Sequence, residues 1–99
     1  MVSIVTAQGA LLQVLIDGEG YGLELIERVA ARTKGKVALG QGSVYPALRG
    51  LEADGLVKSR EADPTPERGG RPRVYYKLTA AGQREAIAAR KAMAVLFGL

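Results

Sequence analysis

The chain has 99 residues, enough for one domain, and its 47% hydrophobic and 24% charged content fits an ordinary soluble protein and argues against disorder. It has no Cys and no His, which excludes disulfides, thiol catalysis and cysteine zinc sites and removes the commonest catalytic base and metal ligand. The net charge of +4 is polarised: residues 1–27 sum to −4 and residues 28–99 to +8, a layout that suits a polyanionic partner. No apolar run approaches the roughly 20 residues a membrane span needs, and the N-terminus lacks the basic start of a signal peptide. The expectation is a cytoplasmic protein with no membrane partner.

Residues 3–17 predict a first helix, with Ser3 as its cap. Ala7, Leu11, Leu12, Val14, Leu15 and Ile16 spread over a broad apolar surface. Such a helix is either central to the core or also meets a partner subunit. Leu11 and Leu15 are assigned to dimerisation on the second reading. Gly9, inside this helix, costs about 1 kcal/mol relative to Ala and points to close helix packing. Asp17-Gly18-Glu19-Gly20 reads as a turn. A second helix over 21–33 places Leu25, Ile26, Val29 and Ala30 on one face and pairs Glu24 with Arg28. Tyr21 is read as packing. Lys34 to Leu39 is a basic connector, with Val37–Leu39 as a very short strand or a loop anchor.

The third helix, over about 41–54, is the stretch around which the chain is organised. Val44, Leu48 and Leu51 form its apolar face, and Gly55 is its stop. Pro46 is awkward inside it, so the helix either starts late, near Ser43, or has a distorted first turn. An anchored face with an open polar N-terminal turn is how a recognition helix is offered to a DNA groove; an ordinary core helix is the alternative.

Residues 56–62 and 73–78 read as strands. In the second, Val74, Tyr76 and Leu78 face one way and Arg73, Tyr75 and Lys77 the other. Between them, residues 63–72 hold three prolines and two glycines, the tip of a long hairpin. Arg68, Arg71, Arg73 and Lys77 lie on its returning side with no acid among them, as in a wing that reaches the DNA backbone or minor groove; a solvated loop with incidental charges is the alternative. Thr79 caps a last helix running to about Leu96. Its apolar Ile87, Met93, Leu96 and Phe97 have little core left to cover them, so they are assigned to dimerisation; a helix folded back on its own domain is the alternative.

Three pieces now carry a resemblance. They are Gly20-Tyr21-Gly22; Gly42-Ser43-Val44-Tyr45-Pro46-Ala47-Leu48 with Leu51-Glu52-Ala53-Asp54-Gly55-Leu56-Val57; and Arg73-Val74-Tyr75-Tyr76-Lys77-Leu78-Thr79 closed by Gly82. In this order and spacing, over about residues 7–84, the chain resembles the PadR family of bacterial transcription regulators. The resemblance implies an α+β, mostly helical fold: a winged helix-turn-helix over 1–78 with a C-terminal dimerisation helix over 79–99. It also implies a homodimer that usually represses by occupying an operator. On that likeness Gln41, Ser43, Val44 and Tyr45 lie at the leading end of the helix in the major groove, Arg71 and Arg73 belong to the wing, and Tyr76 is core. The tail resembles that of the short-tailed members. Some of these bind a flat aromatic effector between subunits through a tryptophan. This chain has no Trp, which leaves Met93 or Phe97 to line such a pore.

The expected partners are therefore double-stranded DNA, a second copy of the chain and a small aromatic effector. Gln41, Ser43 and Val44 are candidates for base edges. Lys34, Lys36, Arg49, Lys58, Arg60 and the wing arginines are candidates for phosphates. No catalytic constellation, metal site or cofactor is expected: there is no phosphate-binding glycine loop with its lysine and no tight carboxylate pair. The competing reading is a winged-helix protein-interaction module, against which the basic wing argues.

Overall fold

In the computed structural model, residues 5–62 and 72–98 are described. Ser3 and the wing tip with Arg68 and Arg71 lie outside them. The elements in order are α1 (Ala7–Leu15), β1 (Gly20–Tyr21), α2 (Gly22–Arg32), α3 (Gln41–Ala53), β2 (Val57–Glu61), β3 (Val74–Leu78) and α4 (Ala80–Leu96). The three strands form one antiparallel sheet in the order β1-β3-β2. The α+β winged-helix expectation holds.

The core is apolar throughout. Leu11, Leu25, Leu48, Leu51, Val29, Val44 and Val57 are fully buried, contributed by α1, α2, α3 and β2. Fully burying each such side chain stabilises by about 1.5–3 kcal/mol, so this cluster outweighs any surface ion pair in holding the three helices together. Leu11 and Leu15 therefore serve the protomer's own core, at 0% and 2% exposure, and are not available to a partner. The broad apolar surface of α1 is broad because α2, α3 and α4 all pack on it.

The helix ends follow local chemistry. Thr6, not the expected Ser3, caps α1: its hydroxyl accepts from the Gly9 amide at 3.0 Å. α3 begins at Gln41, so the late start near Ser43 is set aside. Its first turn is tightened, with the Ser43 and Val44 amides sharing the Gly40 carbonyl at 3.1 and 3.0 Å. Pro46 lies in the second turn on the exposed side of the helix. At the far end Gly55, at φ +76°, allows the Leu56 amide to reach the Leu51 carbonyl and the Gly55 amide that of Glu52. This paired closure satisfies two carbonyls that a bare helix end leaves open. α2 ends the same way, but with Lys34 at φ +53° where glycine is usual.

β1 was not expected. Its two residues continue from the glycine-rich turn and pair Gly20 with Tyr76 and Tyr21 with Tyr75. Val37–Leu39 forms no strand; Val37 and Leu39 anchor the loop against the core. The Thr33 hydroxyl holds that loop, donating to the Val29 carbonyl at 2.9 Å and accepting from the Val37 amide at 3.0 Å. Among the described residues no helix is long and apolar enough to cross a membrane.

Candidate nucleic-acid interface

The geometry of α3 separates its residues into two sets. Val44, Ala47, Leu48 and Leu51 face the core; Gln41, Gly42, Ser43, Pro46 and Arg49 are exposed. Val44 was a candidate for a thymine methyl, but at 0% exposure it cannot touch a base and belongs to the core. Its position, three and four residues from Ala47 and Leu48, puts it on the buried face of the same helix. Tyr45 is half-buried. A Cβ built on Gly22 would stand 2.6 Å from its ring, so the ring is seated on the first turn of α2. It braces α3 against α2, and a side chain at Gly22 would have to displace the Tyr45 ring.

The polar end of α3 is thus free while its apolar face is locked. Lys34 and Lys36, on the connector leading into α3, and Arg49, one turn beyond Pro46, are all exposed. None of these cations is engaged in an ion pair among the described residues.

The sheet supplies a second surface. Its inner face packs Val57, Val74, Tyr76 and Leu78 on the helices. Tyr76 is core as expected, 8% exposed, and burial pushes its phenol above the ordinary tyrosine range. The outer face carries Lys58, Arg60, Arg73, Tyr75 and Lys77, joined by Tyr21 from β1. The Arg73 guanidinium lies 4.2 Å from the Tyr21 ring centre, and that of Arg60 lies 4.8 Å from the ring of Tyr75. Tyr21 and Tyr75 meet edge to face at 5.6 Å. Tyr75 and then Tyr21 hold the Arg73 pKa above its usual value. The rings fix where the cations sit.

Arg60 differs from the other candidates for phosphate. Its Nε donates to Glu19 Oε2 at 3.1 Å, and its terminal nitrogen binds the other carboxylate oxygen. The Arg60 hydrogen bond first, and its charge after it, lower the Glu19 pKa. Arg60 is therefore occupied within the protomer. Lys58 and Lys77 stand directly opposite in register on the same face and are both exposed. No motif pointed to Glu19: it lies 41 residues from Arg60 and meets it only because β1 brings the turn beside the sheet.

Of the residues assigned to dimerisation, Ile87, Met93, Leu96 and Phe97 are exposed on α4, at 38%, 36%, 73% and 53%. Gly82 and Ala86, which dock α4 on the protomer, lie on the same helix face as Met93 and Phe97, so the docking face runs on past the core.

Comparison with known proteins places this geometry. The sequence profile of the transcriptional regulator PadR-like family matches residues 11–88. The chain belongs to the PadR-like family of transcriptional regulators. Its family makes this PadR-like chain a transcription regulator, not an enzyme. Similar solved structures include a transcriptional regulator from Clostridium thermocellum, at TM-score 0.78 and 23% identity over 93% of this chain and 84% of that one. Another is Bacillus subtilis PadR in complex with operator DNA, at TM-score 0.74 and 20% identity over 87% of this chain and 47% of that one. A third is the circadian clock associated protein Pex from Anabaena, at TM-score 0.69 and 27% identity over 94% and 82% of the two chains. These likenesses show the same winged-helix fold. Among proteins of curated function, none matches the sequence.

Proposed function

We propose that this PadR-like chain is a homodimeric repressor in the cytoplasm that binds a palindromic operator. The observation that carries the reading is the two-sided α3: Val44, Ala47, Leu48 and Leu51 lock it to the core while Gln41, Gly42 and Ser43 leave its leading turn open. Gln41 suits an adenine edge and Ser43 either partner of a base pair. Lys34, Lys36, Arg49, Lys58, Lys77 and the wing's Arg68, Arg71 and Arg73 take phosphates, which set affinity and salt dependence. The operator complex of the Bacillus subtilis relative supports this use of the fold.

In this reading residues 1–78 bind DNA and residues 79–99 dimerise through Ile87, Met93, Leu96 and Phe97. The uncovered end of the α4 docking face supports that division. Two recognition helices then meet two half-sites about one helical turn, roughly 10 bp, apart. A small aromatic effector is assigned to the subunit junction near Met93 and Phe97; to regulate, it must favour one dimer geometry over another.

The test is selection of bound sequences from a random duplex pool at near-physiological salt. Enrichment of two half-sites related by two-fold symmetry is expected. Retention without any enriched sequence would replace the reading with electrostatic, sequence-independent binding. Absence of retention would overturn it.

A further inference from the structure

α4 is held at its beginning and free beyond it. Gly82 and Ala86 are buried; from Ile87 to Gly98 every residue but Ala94 is exposed. Among the described residues, the side chain of Gln13 ties α1 to α4 by hydrogen bonds. Its amide nitrogen donates to the Ala86 carbonyl at 2.8 Å, and its amide oxygen accepts from Arg90 Nε at 3.0 Å. One planar amide thus grips two points one turn apart on α4, which fixes the direction of that helix as well as its distance.

The other end of this link is the recognition helix. α1 shares the buried core with α3 through Leu11, Val14, Leu48 and Leu51. A Cβ on Gly50 of α3 would stand 2.6 Å from the Gln8 amide, so α1 lies directly on α3. α1 is the strut between the helix that faces DNA and the helix that faces the partner. We propose that Gln13 is a positioning residue that sets the angle of α4, and through it the spacing of half-sites the dimer accepts; this rests on the homodimeric reading above.

The lever is long enough to matter. From Ala86 to Leu96 α4 extends about 15 Å, so a swing of about 10° moves its end by about 3 Å and tilts the partner with it, and a change of one base pair both shifts and rotates a half-site. A Gln13 that only satisfied a half-buried face would alter stability and leave spacing preference untouched.

The experiment uses the full chain and its Gln13→Met and Arg90→Ala variants. Gln13→Met keeps the side-chain length and removes both bonds; Arg90→Ala removes one from an exposed position. The probes are duplexes carrying the selected half-site twice, with the spacing set at its preferred value and changed by one base pair either way. The parent is expected to prefer one spacing by about tenfold, the scale of one lost base contact, and Gln13→Met to narrow that to within about threefold. Arg90→Ala falls between them. A folded, dimeric Gln13→Met variant with the parent's preference would overturn the proposal. Should Gln13→Met fail to fold, an unchanged preference in Arg90→Ala would overturn it instead. A parent that selects no pair of half-sites would sink the homodimeric reading itself, and this inference with it.

Discussion

Glu19 removes one cation from a surface that otherwise collects them. It holds Arg60 through both carboxylate oxygens, on a sheet face that also presents Lys58, Arg73 and Lys77. Replacing Glu19 with Gln should release Arg60 for one further phosphate. The slope of log K against log salt should then steepen by about 0.9, with tighter binding to any duplex at low salt. Equal affinity of parent and variant at every salt concentration would show that Arg60 does not reach DNA. The sign of the pH effect follows from the lowered Glu19 pKa. The pair is intact above the ordinary carboxylate range and is lost as pH falls through the lowered value, so the gain seen in Glu19→Gln should shrink on acidification. Lys34 offers a second test at this scale. Its φ of +53° at the end of α2 is strained for any residue with a Cβ. Lys34→Gly should raise stability by about 0.5–1 kcal/mol, read as a higher urea midpoint, and should flatten the salt slope by about one phosphate. A lower midpoint would mean that the lysine side chain stabilises the loop by more than the backbone strain costs.

The elements differ in how plainly they can be read from residues. α3 was legible because an apolar period of three and four ends on a glycine, and the Gly55 closure obeys the same chemistry that predicts it. β3 was legible because inward Val74, Tyr76 and Leu78 alternate with outward residues. β1 was not: two residues inside Gly18-Glu19-Gly20-Tyr21 carry no periodicity, and only β3 makes them a strand. Val44 shows the limit for site residues. A position near the leading end of a recognition helix and a position on its buried face can be the same position, and the packed α1 and α2 decide between them. α4 depends on a contact no pattern announces. A Cβ on Gly82 would lie 1.9 Å from the Leu56 carbonyl oxygen, while Thr79 donates to the Gly55 carbonyl and accepts from the Gly82 amide. Backbone cannot yield there as a flexible side chain can. Gly82→Ala should therefore cost about 3 kcal/mol, the upper end of overpacking, and lower Tm by more than about 10 °C. A variant that melts with the parent would show that the start of α4 does not lie against the end of α3.

The described residues span 49 × 29 × 20 Å, and α4 runs on in exposed positions beyond Gly82 and Ala86, which are buried. In the homodimer proposed above, a second copy covers the exposed apolar end of α4 and offers the same face in return. Met93 and Phe97 are the residues on that face to change, because both are exposed, at 36% and 53%. The double variant Met93→Glu with Phe97→Glu should keep the parent's circular dichroism and melt near its temperature at low concentration. On the proposed homodimer, it should sediment as a monomer under conditions where the parent sediments as a dimer. Two linked half-site contacts gain about a hundredfold or more over one, so operator affinity should fall by at least that factor. Binding to an isolated half-site should hardly change, since α3 and the wing are untouched. A double variant that still sediments as a dimer would place the subunit contact elsewhere on the molecule. A monomeric variant with undiminished operator affinity would mean that one protomer alone accounts for recognition.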